Sequence, residues 1–163
     1  MKILKRTLLV LVALFIIIQF FRPARNIGEV IPAKEITAAV AVPDDVLGVL
    51  ENSCFDCHSN NTRYPWYVNI QPAGWFMSGH IREAKRSLNF SEFATYSPRR
   101  QYDKLNAIVE NVNDGEMPLP SYLLIHTDAK LSAGQKENIV AWVTSALGSM
   151  KTKYPADSLL SKR

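Results

Sequence analysis

Cysteine and histidine are scarce in this chain of 163 residues, which contains two cysteines and three histidines. A structural zinc site needs about four ligands, so Cys54 and Cys57 would have to recruit His58 and either His80 or His126. The sequence also lacks a glycine-rich phosphate loop and a serine-centred nucleophile motif, which are signatures of nucleotide binding and acyl transfer. Internal repeats and low-complexity tracts are absent as well. The function must therefore come from a few residues, and the length allows one domain plus extensions.

Positive charge is concentrated near the N-terminus. Five of the 19 lysines and arginines flank the first apolar run, which leaves 14 basic residues against 15 acidic ones in the remainder. Proteins that bind nucleic acid usually cluster basic residues on one face of a domain. We therefore expect no nucleic-acid partner, and the charge pattern is instead typical of a membrane anchor.

The first apolar run, residues 7–21, consists of Leu, Val, Ile, Phe and Ala after its first residue and is broken only by Gln19. As a helix it spans about 22 Å, or about 27 Å when counted from Leu4, against roughly 30 Å of hydrocarbon. A secretory signal peptide would have small residues at a cleavage site, whereas this run ends in the sequence FFRP. Residues 1–25 are therefore predicted to be an uncleaved signal anchor that forms a transmembrane helix. A cleaved signal peptide is the alternative.

The charges beside this run predict its orientation. Three positive side chains and the amino terminus precede it, and two positive side chains follow it nearby. The positive-inside rule then keeps the N-terminus in the cytoplasm. We expect a protein of the bacterial inner (cytoplasmic) membrane whose remaining residues lie on the periplasmic side.

The segment Cys54-Phe55-Asp56-Cys57-His58 carries the strongest chemical signal in the chain. Two thiols three positions apart, followed at once by an imidazole, are typical of a c-type haem attachment site. Each thiol can form a thioether to one vinyl group of the porphyrin, and the adjacent imidazole then lies under the iron as an axial ligand. One covalent haem c is the predicted cofactor, with His58 as a metal ligand. A structural disulfide or dithiol and a zinc site are the alternatives.

Hydrophobic periodicity and capping residues predict about four helices and an all-α fold. The first helix runs directly into Cys54, and the last opens with a capping box at Ser132. Their expected ranges are 44–53, 72–88, 98–115 and 132–148.

The same features predict four parts of the chain. Residues 1–25 are the anchor, and the proline-containing residues 26–43 are a linker about twenty residues long. Residues 44–148 form a haem-binding domain that wraps around the cofactor. Residues 149–163 are expected to be a loose C-terminal tail.

The sixth coordination position of the iron decides what such a haem does. Met117 is the leading candidate, because it lies in a loop stiffened by Pro118 and Pro120, and a thioether ligand raises the reduction potential. Met117 filling a gap in the core is the alternative. His80, on the apolar face of the second helix, is the rival, either as a ligand or as an acid and base over an open iron. His126 is expected to be structural or a propionate partner.

Aromatic residues just after the motif are candidates for a porphyrin wall. Tyr64 and Trp66 could keep water from the iron, and burial in the core is the alternative. A carbonyl within residues 64–72 is expected to accept the other ring proton of His58, because ligating imidazoles are usually oriented by such a bond. Arg63 and Arg82 are possible partners of the haem propionates.

The arrangement resembles a class I cytochrome c, with an N-terminal helix that ends in CxxCH, a Met-Pro loop and a closing C-terminal helix. More narrowly, residues 54–142 resemble a family of small bacterial proteins described as a haem-binding domain. The resemblance implies covalent haem and no settled physiological role. It is carried by Cys54, Cys57, His58-Ser59-Asn60, Tyr64-Pro65-Trp66-Tyr67, His80, Leu88-Asn89-Phe90-Ser91, Met117-Pro118 and Leu131-Ser132.

Three functions are consistent with the sequence. The first is a membrane-tethered monohaem cytochrome that passes single electrons between redox partner proteins, with iron held by His58 and Met117. The second is a haem enzyme or a gas or redox sensor with an open distal site near His80. The third is a non-haem interaction domain with a disulfide between Cys54 and Cys57.

Overall fold

The computed structural model of the chain describes residues 1–160, and helices account for its regular structure there. The only β-type pairing in this part is an isolated bridge between Ile27 and Asn61. The all-α prediction is therefore confirmed, and the four longest helices after the first lie close to the predicted ranges. The α-helices are α1 Lys2–Ile18, α2 Ile36–Ala39, α3 Asp44–Ser53, α4 Phe55–His58, α5 Ala73–Ser87, α6 Pro98–Asn113, α7 Pro120–Leu123, α8 Ala133–Lys153 and α9 Ala156–Leu159.

Helix α1 has no buried residue, and its apolar side chains are exposed around the whole helix. Within residues 1–160, no helix combines the length and the apolarity required to cross a membrane. The structure thus does not support the transmembrane helix that the sequence predicts.

Residues 26–43 are packed onto the domain and do not form the free linker that the sequence predicts. Ile36 in α2 is completely buried, and α2 packs against a 3₁₀ helix at Phe90–Thr95. The indole of Trp142 donates a hydrogen bond to the Ala41 carbonyl over 2.8 Å. The segment was predicted to be free because it is too short to show helical periodicity. Its apolar side chains are ordered by burial against the domain and not by local helix propensity.

The helix ends follow the capping residues in most places. Pro98 occupies the first turn of α6 after the Ser97 N-cap, and Gly115 adopts a φ of 73° just beyond the helix, a conformation that favours glycine. Ser132 and Gln135 form the predicted capping box at the start of α8.

The C-terminal part differs from the prediction. Helix α8 continues past Gly148 to Lys153, because Met150 is buried in the core and tertiary packing outweighs the helix-ending tendency of glycine. Leu159 of α9 is buried as well, and α9 packs against α6. Residues 149–160 are therefore ordered on the domain, and the last three residues of the predicted tail lie outside the described part.

One hydrophobic core joins α3, α6, α8 and the 3₁₀ helix at Phe90–Thr95. Leu50 and Phe90 bring this core to the CxxCH segment, which follows α3 directly. Helix α5 lies on the other side of that segment and packs against α4. The motif is thus held between the core and α5.

Candidate functional site

The two cysteines lie at the junction of α3 and α4. The Cys54 amide donates to the Leu50 carbonyl over 2.9 Å, and the His58 amide donates to the Cys54 carbonyl over 3.0 Å. Both thiols are free. Burial raises the pKa of Cys54 to about 12 and that of Cys57 to about 11, with the neighbouring Asp56 adding to the second shift. Both thiols are therefore protonated near neutral pH in this environment.

The imidazole of His58 is oriented by a backbone carbonyl. Its Nδ1 lies 2.9 Å from the Leu88 oxygen. A carbonyl can only accept, so Nδ1 carries the proton and Nε2 keeps its lone pair. Burial also lowers the pKa of His58, which favours the neutral, metal-binding form. The expected second bond is present, but its partner lies at residue 88 and not within residues 64–72.

A polar network holds this carbonyl in place. The Asn89 side chain donates to Asn60 Oδ1 over 2.8 Å and accepts from the Ser91 amide over 3.1 Å. The Ser91 hydroxyl in turn accepts from the Asn60 amide over 3.1 Å. The segment after His58 is thereby fastened to the segment after Leu88. We call Asn60, Asn89 and Ser91 the asparagine clamp.

A cleft beside His58 is formed by two adjoining cavities of about 100 and 270 Å³. Cys54, His58, Met117 and Pro118 line both cavities, whereas Cys57 lines the second. The walls of the first cavity are largely apolar and include Leu50, Leu88, Phe90, Ile108, Val112 and Ile139. The cleft therefore combines both thiols, an imidazole and a thioether with an apolar lining.

The loop that carries Met117 is tied to the end of α6. The amides of Glu116 and Met117 both donate to the Asn111 carbonyl, over 3.0 and 3.1 Å. Asn111 also lines the first cavity. The loop is thus fixed at the cleft, and Met117 lines the same cavities as His58. Ligation of iron by Met117 stays a prediction.

Of the two cavities of the cleft, His80 lines only the second. Its Nδ1 lies 2.9 Å from the Phe76 carbonyl within α5, which leaves the lone pair on Nε2. Cys57, His58 and Met117 line the same cavity. His80 is therefore available to the cleft from the α5 side, and its rival role also stays a prediction.

Several other candidates lie elsewhere. Trp66 is 75% exposed, and the Tyr64 hydroxyl accepts from the Asn26 amide over 2.6 Å, so neither side chain lines the cleft. The predicted aromatic wall is not found at these residues, because the chain after Thr62 turns toward residues 22–26. Arg63 is held by Asp56 over 3.0 Å.

The remaining two candidates have other surroundings. Arg82 lines a separate basic cavity, and His126 lies 2.8 Å from the Tyr67 hydroxyl through Nε2. Neither residue is among those that line the cleft within residues 1–160. The structure thus gives no support to Arg82 as a propionate partner.

Sequence reasoning missed four residues of the site. Phe90 stacks on Phe55 with ring centroids 5.1 Å apart and meets His58 edge-on at 6.2 Å. Lys104 lines the first cavity and is the cation present there. Ile108 and Asn111 follow Lys104 by four and seven residues, so all three lie on one face of α6. This helical spacing could have identified Lys104 and Asn111 as neighbours of the cleft. Tyr122, the fourth, donates to Asp56 Oδ2 over 2.9 Å, and nothing in the sequence indicates that contact.

The model of one protein family, described as a haem-binding domain, matches residues 13–145. This match covers most of the chain, which therefore belongs to the haem-binding domain family. No curated protein and no solved structure shows a significant match.

The residues of the cleft fit a haem. His58 Nε2 is unprotonated, Met117 offers a second soft donor, and the apolar walls suit a porphyrin. Among residues 1–160, no group of three or more His, Cys, Asp or Glu side chains could hold a metal ion by itself. The imidazole and thioether donors suit an iron held within a porphyrin.

Proposed function

We propose that the protein is a monohaem c-type cytochrome that transfers single electrons. Cys54 and Cys57 would hold the haem c covalently, and His58 and Met117 would bind its iron. The proposal is carried by the fact that the neutral imidazole and the thioether line the same cleft, with both thiols at its wall. Membership of the haem-binding domain family supports the cofactor.

Bound haem would supply an iron that gains and loses one electron. The chain's part is to keep both axial donors in place during that change. His58 is fixed through Leu88, and Met117 through Asn111. Ligands that do not rearrange let reduction change little except the charge, which suits rapid exchange with redox partner proteins.

We further propose attachment to the bacterial inner membrane through α1, with the haem domain on the periplasmic side. The exposed apolar side chains around α1 support attachment, because a helix that is apolar on all sides is normally covered by lipid or protein. The positive side chains at residues 2, 5 and 6 support the orientation. Washing membranes with alkaline carbonate tests this part, and release of full-length protein would contradict it.

The optical spectrum and a redox titration of the purified holoprotein test the electron-transfer proposal. We expect a low-spin spectrum with the charge-transfer band of thioether-ligated ferric haem, and one reversible one-electron step. Ferrous protein should bind carbon monoxide poorly, because both axial positions are filled. A high-spin spectrum with rapid carbon monoxide binding would overturn the proposal.

That contrary result would favour a second candidate function, a haem enzyme or a gas or redox sensor. The position of His80 in the cavity shared with Cys57 and His58 supports this candidate. In that case His80→Ala should change the rate of peroxide reaction or the affinity for diatomic ligands, and Met117→Leu should not. The two functions are thus separated by which single substitution alters the haem.

A further inference from the structure

The end of α1 is fastened directly to the start of α5. The Gln19 side chain accepts from the Gln71 amide over 2.8 Å and donates to the Gln71 carbonyl over 3.2 Å. The Trp75 indole donates to the Phe21 carbonyl over 2.6 Å. Three hydrogen bonds between these segments fix the orientation of the domain relative to α1. The domain therefore presents a defined side to whatever surrounds that helix.

That side is strongly apolar. Trp66 is 75% exposed, Phe76 61% and Leu124 81%, and other large apolar side chains lie beside them. Monomeric soluble proteins rarely expose contiguous apolar patches larger than a few hundred Å², and patches above that size mark interaction sites. We call the exposed side chains Trp66, Ile70, Trp75, Phe76, Leu124 and Ile125 the apolar face.

Contacts between different segments connect the parts of this face. Phe76 of α5 and Ile125 line one cavity together with Tyr67. Trp66 meets the Tyr67 ring edge-on with centroids 6.1 Å apart. Tyr67 thus connects Trp66 with Phe76 and Ile125, and the other members of the apolar face are their neighbours in sequence or lie in the same segment.

A basic cavity lies on the flank of α5 next to the same junction. Arg25, Arg82, Lys85 and Arg86 line it, and no acidic side chain is among its lining residues in the described part of the chain. Burial lowers the pKa of Lys85, whose ammonium donates to the Asn26 side chain. Arg86 forms an ion pair with Glu83 over 3.4 Å outside the cavity lining, and the positive charge of the cavity as a whole suits the phosphate groups of lipids.

We propose that the apolar face lies in the interfacial layer of the bilayer to which α1 is attached, with the basic cavity over the phosphates of anionic lipids. The inference rests on the proposed membrane attachment of α1. A bilayer is the indicated occupant because the face is joined to the end of α1, and because tryptophan side chains are enriched at both interfaces of a membrane. The domain then lies on the membrane instead of moving freely above it.

Spin labels measure this directly in the full-length holoprotein. Single-cysteine variants Trp66→Cys and Leu124→Cys place labels on the apolar face, and Ser145→Cys places a control label on the exposed side of α8, which packs against α3 and α6. Leu9→Cys reports on α1 itself. The parent chain should take up no label, because its two cysteines are expected in thioether bonds.

The proteins are reconstituted in vesicles of phosphatidylethanolamine and phosphatidylglycerol, and the collision rates of each label with oxygen and with a water-soluble nickel complex are compared. The oxygen-to-nickel ratio at residues 66 and 124 should be several-fold higher than at residue 145. Vesicles without phosphatidylglycerol should lower the ratio at the two face positions. An unchanged ratio would overturn the role of the basic cavity.

Failure of the inference and failure of the attachment give different results. If the label at residue 9 reports lipid while those at residues 66 and 124 report water, the membrane-facing orientation is overturned and the attachment stands. If the label at residue 9 also reports water, both are overturned. Uptake of label by the parent chain would instead contradict covalent haem, and the depth comparison would then use chains in which Cys54 and Cys57 are changed to serine.

Discussion

His58 Nδ1 lies 2.9 Å from the carbonyl oxygen of Leu88, thirty residues further along the chain. This bond sets the tautomer of the imidazole and turns Nε2 toward the cleft. It depends on the asparagine clamp, which joins the two segments that contain His58 and Leu88. The orientation of the predicted axial ligand is therefore a property of the tertiary fold.

Asn89→Ala tests the asparagine clamp. The substitution leaves Asn60 Oδ1 and the buried Ser91 amide without their partner, and we expect a loss on the order of 1–3 kcal/mol in the free energy of unfolding. A looser bond to His58 makes the imidazole less basic, so the reduction potential should rise. Urea unfolding and redox titration measure both effects. The control Asn113→Ala, at an exposed position, should change neither, and equal behaviour of the two variants would contradict the role of the clamp.

Met117→Leu tests the sixth ligand. The exchange keeps apolar volume and should cost less than about 1.5 kcal/mol in stability. Loss of the thioether should abolish its charge-transfer band, lower the reduction potential and let ferrous protein bind carbon monoxide. Met77→Leu is the matched control, because Met77 is not among the residues that line the two cavities of the cleft. If His80→Ala removes the sixth ligand and Met117→Leu does not, the assignment of Met117 is wrong.

Ile36→Ala tests whether residues 26–43 belong to the domain. Ile36 is completely buried, so its truncation should lower the free energy of unfolding by about 2–5 kcal/mol. Ile27→Ala at an exposed position of the same segment should stay within about 0.5 kcal/mol. A free linker would instead give two variants that unfold at the same urea concentration.

The surroundings of Tyr122 lead us to expect that the free energy of unfolding falls at alkaline pH. Burial and the adjacent Asp56 raise the pKa of its hydroxyl above the usual range. The unfolded chain loses this proton at about pH 10 while the folded protein keeps it, so the stabilisation is complete below that pH and is lost as the pH rises above it. Urea unfolding of wild type and Tyr122→Phe on both sides of this pH checks the effect. The variant should show a smaller decrease, and identical slopes would argue against it.

Local signals predicted much of the helical fold. Pro98 and the capping box at Ser132 mark the starts of α6 and α8, and Gly115 marks the end of α6. Long-range burial was not predictable in the same way. Ile36 and Leu159 lie in four-residue helices whose order comes from packing against distant residues, which no short window of sequence contains.

The candidate site divides similarly. The candidate donors could be identified from the sequence, because they lie in short recognisable segments. These segments are the motif of Cys54, Cys57 and His58 and the loop around Met117. Leu88 contributes only a backbone carbonyl, and Trp66 is aromatic but exposed. Residue type reveals neither the role of the Leu88 carbonyl nor the exposure of Trp66. Both depend on the path that the backbone takes in the folded protein.

The mass of the intact protein tests covalent haem most directly. The chain should be produced in a host with working cytochrome maturation, denatured and extracted with organic solvent before mass spectrometry. We predict the mass of the chain plus one haem, carried by the peptide that contains Cys54 and Cys57, and the bare chain mass for the variant with both cysteines changed to serine. The bare chain mass for the wild-type protein would contradict the account.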